Sequence, residues 1–410
     1  MKKLFALLLS LAMVLALVAC GQKDPTPDTP DTPDDPQTKV EYKVAMITDY
    51  GDITDQSFNQ TTYEACKAFA EDNSIEFSYF KPAGDNTADR VAMIEKAVND
   101  GFNVIVMPGY AFGGAIVEAA PEFPDVKFIA LDVAAGDLLE TAVAKAGEAY
   151  DYTPENWDLN KYVDMSNVYC AVYQEELCGY MAGYAAVKLG YKNLGFLGGM
   201  SVPAVVRYGY GFVQGVDAAA ADLGLTDVKL NYIYGGQFFG DADITAVMDT
   251  WYQGGTEVVF ACGGGIYTSA VDAAKKANAK VIGVDVDQAG VIAKYAGVDG
   301  MTVTSAMKGL YPATYDTLTD VIVNGNWDKY VGKIETLGLV SGTDPEANYV
   351  QIPMGDGTQW SDSFTQDDYK AMVKDMFDGK ITVSNNTSSD VSAADFATVI
   401  TVDDQGSIKG

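Results

Sequence analysis

From Val40 onward, short apolar β-rich runs alternate with amphipathic stretches, and this alternation leaves few folds open to the chain. VAMIT (44–48), IEFSYF (75–80), VIVM (104–107) and KFIALD (127–132) read as strands. Residues 56–71, 86–100 and 113–120 read as the intervening helices, the second with Val91, Ile94, Ala97 and Val98 at helical spacing. Asp55 or Thr54 is placed to cap the first. Strands that are apolar almost throughout belong to a parallel sheet covered on both faces. A second series starts at VYCAVY (168–173). It continues through helix 175–188, strand 194–199, helix 204–222, strand 229–234, helix 243–253, strand 257–261, helix 266–277, strands 280–285 and 301–306, and helix 309–324. The expected fold is α/β, with two doubly wound parallel-sheet lobes and a ligand cleft between them.

Length points the same way. About 370 residues follow position 39, whereas single cores stop growing at roughly 250–300. Lobe 1 is expected to hold 40–133 plus about 286–308. Lobe 2 is expected to hold 134–285 plus about 309–383, with the acidic, loop-like stretch 134–165 as an insertion. Residues 384–410 read as a C-terminal extension, in which VITVDDQGSIKG has the pattern of a hairpin around DDQG.

The N-terminus sets the compartment. Lys2 and Lys3 precede an apolar run, Leu4–Ala19, interrupted only by Ser10 and ending in Leu-Val-Ala-Cys-Gly. That is a secretory signal pattern over residues 1–19, too short for a membrane span of roughly 20 residues. The ending resembles a bacterial lipobox, which makes Cys20 the lipidated first residue of the mature chain. Residues 20–39 carry five prolines and five aspartates between 24 and 36, and read as a disordered, extended tether. The predicted location is the extracytoplasmic face of a bacterial membrane.

Composition excludes whole classes of chemistry. The formal charge is −30, which argues against nucleic acid and favours a neutral or cationic ligand. Histidine is absent, which removes the commonest general base and metal ligand. Cys66, Cys170, Cys178 and Cys262 form no CxxC pair. They read as buried thiols, with a Cys170–Cys178 disulfide left open. No metal and no cofactor are expected.

Ligands of open α/β sheets bind beyond the carboxyl ends of the strands. Here those ends carry Asp49, Gly109-Tyr110, Asp132, Gly198-Gly199, Gly263-Gly264-Gly265 and Asp285. Asp49 with Phe58 and Asn59 sets an acceptor, an aromatic face and an amide near one helix start, a set suited to a flat heterocycle. Phe238 and Phe239 stand on a Gly-rich loop after a strand, where exposed aromatics serve stacking or packing. Asp285 and Lys308 form a carboxylate–ammonium pair suited to hydroxyls. The Gly263–Gly265 loop lacks the phosphate-binding spacings and reads as close backbone approach to a ligand or to the other lobe.

Together these segments resemble the basic membrane protein family, the substrate-binding lipoproteins of ABC transporters whose best-understood members are purine nucleoside receptors. The matching stretches include ITDYGDITDQSFNQTTYEA (47–65), VIVMPGYAFGGAIVEAAPEFPDVKFIALD (104–132), EELCGYMAGYAA (175–186), VIGVDVDQ (281–288) and TVTSAMKG (302–309). The resemblance implies a type I periplasmic-binding-protein fold that closes on its ligand, and a non-enzymatic role. It implies a base sandwiched between Phe58 and Phe239, with Phe238 as the alternative. Asp49, Asn59 and Asp132 would meet the base edge, and Asp285 and Lys308 the ribose. With Tyr110, these eight form the candidate ligand-binding set. The implied partners are a nucleoside, ABC permease and ATPase subunits, and the membrane through lipid on Cys20; the chain is expected to be a monomer. A sugar or another small polar solute is the alternative ligand. A surface nucleosidase using Asp49, Asp52 and Asp55 is the third reading, weakened by the lack of histidine.

Overall fold

A computed structural model describes residues 41–409. The signal peptide, Cys20 and the tether lie outside the described residues. The strands run in order β1 (Lys43–Ile47), β2 (Glu76–Phe80), β3 (Val104–Pro108), β4 (Lys127–Leu131), β5 (Val168–Tyr173), β6 (Asn193–Gly198), β7 (Lys229–Tyr234), β8 (Val258–Cys262), β9 (Lys280–Asp285), β10 (Thr302–Lys308), β11 (Lys333–Leu337), β12 (Val350–Gln351) and β13 (Thr401–Ser407).

They form two sheets, ordered β11-β5-β4-β3-β1-β2 and β12-β10-β9-β8-β6-β7-β13. Every pairing is parallel except β10 with β12. In the first sheet, Val44, Met46, Val106 and Ile129 pack on one face with Phe69 and Leu318. Ala45, Ile47, Ile105 and Phe128 pack on the other with Phe112, Ile116 and Leu138. Both faces are dry, which is why these strands read as unbroken apolar runs.

The second sheet has the same layering. Phe196, Tyr232 and Phe260 face the helices Glu175–Lys188 and Pro203–Asp222. Leu197, Val259 and Ala261 face the helices Ala242–Gln253 and Tyr267–Ala277. Gly179, Gly183, Gly211 and Gly215 let the first two helices meet backbone to backbone. A Cβ at any of them would run into a carbonyl of the facing helix, on Tyr208, Phe212, Glu176 and Tyr180 respectively. This close crossing holds Glu175 and Arg207 beside the cleft.

Strand pairing redraws the expected lobe boundaries. β5 joins the first sheet, with Ala130 opposite Cys170, so lobe 1 continues through Tyr173. β10 joins the second, with Ser305 opposite Gly283, so 286–308 belongs to lobe 2. β11 returns to the first sheet, with Glu335 opposite Ala171. The stretch 134–165 is therefore the crossover from β4 to β5, not an insertion in lobe 2. Its helix Ala135–Lys145 buries Leu138, Leu139, Ala142 and Val143, a stripe diluted in the sequence by surrounding acidic residues.

The C-terminal segment also departs from expectation. DDQG lies inside β13, which pairs in parallel with β7 (Thr401 opposite Lys229) rather than turning into a hairpin. The exposed edge of β7 offers a ladder of unpaired backbone groups, and the tail satisfies it. The four described cysteines are buried and free. Cys170 sits in β5 and Cys178 on the helix beyond the lobe crossing, so the open disulfide reading is not realised.

Among the described residues the chain crosses between lobes three times, at Gln174, at Gly309 and over 338–349. These crossings bond one another: Gln174 N–H donates to Leu337 O (3.0 Å), Gly309 N–H to Tyr349 O (2.7 Å) and Tyr349 N–H to Gly338 O (3.0 Å).

Candidate functional site

The carboxyl ends of the strands in both lobes line one cavity of about 430 Å³, and all eight residues of the candidate set lie on its wall. Lobe 1 supplies Asp49, Phe58, Asn59, Tyr110 and Asp132; lobe 2 supplies Phe239, Asp285 and Lys308.

In lobe 1 the organising residue is Asp55. Its carboxylate accepts the backbone N–H groups of Ser57 (2.9 Å), Asn59 (2.9 Å) and Gln60 (3.1 Å). It thus satisfies the donors left open at the start of the helix Phe58–Asn73. The helix begins two residues later than expected because Gln56 takes φ 58°, outside helical geometry. Asp49 follows β1 and accepts Tyr50 N–H and Gly51 N–H, both at 2.6 Å, and the Asn59 amide at 3.2 Å. Burial nevertheless pushes the Asp49 carboxyl above its usual range, against those hydrogen bonds. Gly109, at φ 126°, lets the next strand end press on the Asp49 side chain. Asn59 gives its Nδ2 hydrogens to Asp49 and Asp55 (3.1 Å), which fixes the amide and leaves Oδ1 buried with no partner.

In lobe 2 the loop Gly235–Asp241 carries two aromatics with different surroundings. The Phe238 ring is wedged against Gly199 and Gly263, where any Cβ would collide with it. Gly263–Gly265 lie close to Phe238 of the same lobe and also line the cavity. Gly265 N–H also donates to Phe238 O at 2.8 Å. Phe239 keeps 55% of its surface exposed and lines the same cavity.

Between the lobes lies a buried ionic network. Lys308 Nζ donates to Asp132 Oδ2 (2.5 Å) and Glu175 Oε1 (3.4 Å), lies 3.8 Å from Asp285 Oδ1, and sits 4.7 Å from the Phe58 ring centroid. Burial alone would lower its pKa; Asp132, Asp285 and Glu175 outweigh that and raise it. Asp132 is raised to about 6, mainly by burial and partly by Glu175, with Lys308 pulling the other way. Its Oδ1 is buried and has no partner. Asp285 accepts Tyr208 OH (3.2 Å) and, from lobe 1, Ser57 Oγ (2.5 Å). Arg207 Nε donates to the far oxygen of Glu175 at 2.6 Å. At the mouth, Tyr50 and Tyr110 reach across to Met200 Sδ, at 3.9 and 3.7 Å.

Sequence reasoning did not single out Ser57, Glu175, Arg207, Tyr208 or Met200. A signal existed for two of them. Glu175 and Glu176 open an otherwise apolar helix and are almost wholly buried, and Arg207 is the one cation between Lys192 and Lys229.

Asp49, Asn59 and Asp132 bring carboxylates and an amide to the cavity wall, and Lys308 is already neutralised by carboxylates. The arrangement suits a compact solute rich in hydrogen-bond donors, not a phosphate. No helix among the described residues is long and apolar enough to cross a membrane.

Known proteins share the fold and resemble much of the sequence. Among solved structures, a solute-binding protein of an ABC transporter system from Aeropyrum pernix superposes with TM-score 0.60 at 20% identity, covering 84% of this chain and 88% of that one. One from Conexibacter woesei gives 0.57 at 19%, covering 84% and 99%. These likenesses establish the type I solute-binding fold. The nucleoside-binding protein BmpA of an ABC transporter in Lactococcus lactis is 25% identical over 389 residues, covering 92% of this chain and 96% of the relative. Basic membrane protein B of Borreliella burgdorferi is 26% identical over 322 residues, covering 76% and 83%. Residues 42–343 match the family described as Bmp, ABC transporter substrate-binding protein PnrA-like, and the chain belongs to that family of ABC transporter substrate-binding proteins.

Proposed function

We propose that the solute is a nucleoside, with purine nucleosides preferred, held between the lobes and delivered to a membrane permease by a receptor tethered through lipid on Cys20. The observation that carries this reading is the presence of aromatic rings from opposite lobes, Phe58 and Phe239, on one cavity also lined by Asn59 and Asp132, each of which holds a buried acceptor without a partner. A base between two rings gains about 1–3 kcal/mol per stacked contact. Its amino and ring N–H groups would meet Asn59 Oδ1 and Asp132 Oδ1, which otherwise carry the cost of an unpaired buried acceptor. Asp285 and Lys308 would take the ribose hydroxyls. The cavity falls within the roughly 300–1,000 Å³ of small-molecule sites, and its carboxylates disfavour a nucleotide. The role in this reading is binding and release, as membership of a substrate-binding family supports.

The test is calorimetric titration of the purified chain, stripped of carried-over ligand by partial unfolding and refolding, with adenosine, guanosine, inosine, cytidine, uridine and ribose. Binding of purine nucleosides without binding of ribose supports the reading. Binding of ribose alone, or of nothing in the panel, moves the assignment to another polar solute.

A further inference from the structure

The C-terminal strand ends against the loop that carries the cleft aromatics. β13 runs along β7, and Ile408 N–H donates to Tyr234 O at 2.8 Å, where β7 gives way to the loop Gly235–Asp241. The main chain of Lys409 lies on Gly236, which has φ 78° and no room for a Cβ. The Lys409 ammonium donates to Gln237 Oε1 at 2.9 Å and to Asp241 Oδ2. With its oxygen held there, the Gln237 amide turns its nitrogen toward the loop and donates to Phe239 O (2.9 Å) and Asp241 Oδ2 (3.0 Å). Asp241 in turn caps the following helix, accepting Ile244 N–H at 3.0 Å. A primary amide has one acceptor end and one donor end. An ammonium on the acceptor end therefore decides which end faces Phe239.

We propose that Lys409 is a positioning residue for ligand binding: it fixes the Gln237 amide, which holds the backbone of Phe239 and so sets that ring at the cleft wall. The segment 401–409 is then part of the binding apparatus, although none of its side chains lines the cavity. The affinity consequence rests on the nucleoside reading above; the consequence for the loop does not.

The experiment uses the full chain and three variants: Lys409→Met, Lys409→Arg and Gln237→Leu. Two quantities are read, the dissociation constant for the tightest-binding purine nucleoside and, without ligand, hydrogen exchange of the amides 237–241. Lys409→Met is expected to weaken binding about 3- to 10-fold, the scale of one lost polar contact, and to speed exchange in the loop. Lys409→Arg should restore both. In a Gln237→Leu background, Lys409→Met should add little, because the two act through one amide. A merely structural tail would lower the melting temperature with Met and Arg alike and add its full effect in the Gln237→Leu background. That outcome, or binding and exchange unchanged in Lys409→Met, overturns the proposal. If the unmodified chain binds no nucleoside, the functional reading fails, and the exchange measurement still decides the role of Lys409.

Discussion

Asp132 and Asp285 occupy the same local position in the two lobes and do different work. Each stands where a central parallel strand, β4 or β9, gives way to its loop, and each has a left-handed backbone, φ 61° and 64°. That conformation is uncommon for a residue with a side chain, and aspartate tolerates it better than most. Both carboxylates converge on Lys308. The difference is in the remaining partners. Asp285 has both oxygens occupied, by Tyr208 OH and by Ser57 Oγ from the opposite lobe, so it acts as a latch. Asp132 spends one oxygen on Lys308 and leaves the other buried and open. The same backbone device thus yields two fastenings across the cleft, of which only Asp132 keeps a vacant acceptor. What separates them is the number of protein donors each can reach.

The harshest way to break this comparison is to remove the group they share. Lys308→Met would leave Asp132, Asp285 and Glu175 buried without their common cation. Breaking a buried pair from one side typically costs about 3–5 kcal/mol, read as a fall in the urea midpoint near neutral pH. A loss below about 1 kcal/mol would mean that the carboxylates take up protons or water instead and that the lysine is not the centre of the network.

The next largest effect separates the two aspartates. Asp132→Asn keeps the shape but removes the charge behind the open acceptor. It should weaken nucleoside binding by about 1.5–3 kcal/mol, the scale of a charged hydrogen bond, while its amide oxygen still accepts from Lys308 across the cleft. Asp285→Asn should, besides weakening the ribose contact, loosen the link to Ser57, seen as a larger radius of gyration in solution scattering without ligand. If both variants lose affinity equally and scatter alike, the latch-and-acceptor distinction is wrong.

The two aromatics allow a similar comparison on a smaller scale. Phe58→Ala and Phe239→Ala should each cost about 1–3 kcal/mol of binding if a base stacks between them. Phe238→Ala should act mainly on stability, because its ring fills the space between Gly199 and Gly263. A Phe239→Ala variant that binds normally, beside a Phe238→Ala variant that does not, would transfer the stacking role to Phe238.

Much of the fold is legible in the sequence because its strands are dry on both faces. VYCAVY, KLNYIY and KVIGVD have the bounds in the structure that their apolar runs suggest. Sheet membership is not legible, since β5 and β10 read like every other strand and their neighbours are chosen by crossovers far away in the chain. The helix in 134–165 is hidden because Asp137 and Glu140 interrupt its apolar stripe. The wall of the cleft is readable from strand ends, where small or acidic residues stop apolar runs. The network behind it is not, because it pairs Lys308 with Glu175 and Asp132 across 133 and 176 positions. The contrast between Phe238 and Phe239 depends on glycines in two other loops, which no local pattern reports.

The smallest effect lies one turn beyond Asp132. Asp137, on the helix that follows β4, has its carboxyl raised to about 7. Burial is the main cause and the nearby Asp132 and Glu140 add to it, while the Ala134 N–H and Arg207 pull it down. Unfolded, such a group titrates near 3.8. Between those values the folded chain binds the proton more tightly than the unfolded one. This contribution is therefore fully present below about pH 4, declines as pH rises to about 7 and is flat above. Asp132, raised to about 6, and Glu176, raised to about 7 by burial, act with the same sign. Asp137→Asn preserves the acceptor that takes Ala134 N–H at 2.7 Å and removes only the titration. Melting curves at pH 5, 6, 7 and 8 should show the variant gaining on the unmodified chain as pH rises. Asp137 is partly exposed, which holds the gain to about 1–2 °C in a chain of this size. Parallel curves would mean that the unmodified Asp137 stays ionised across the range.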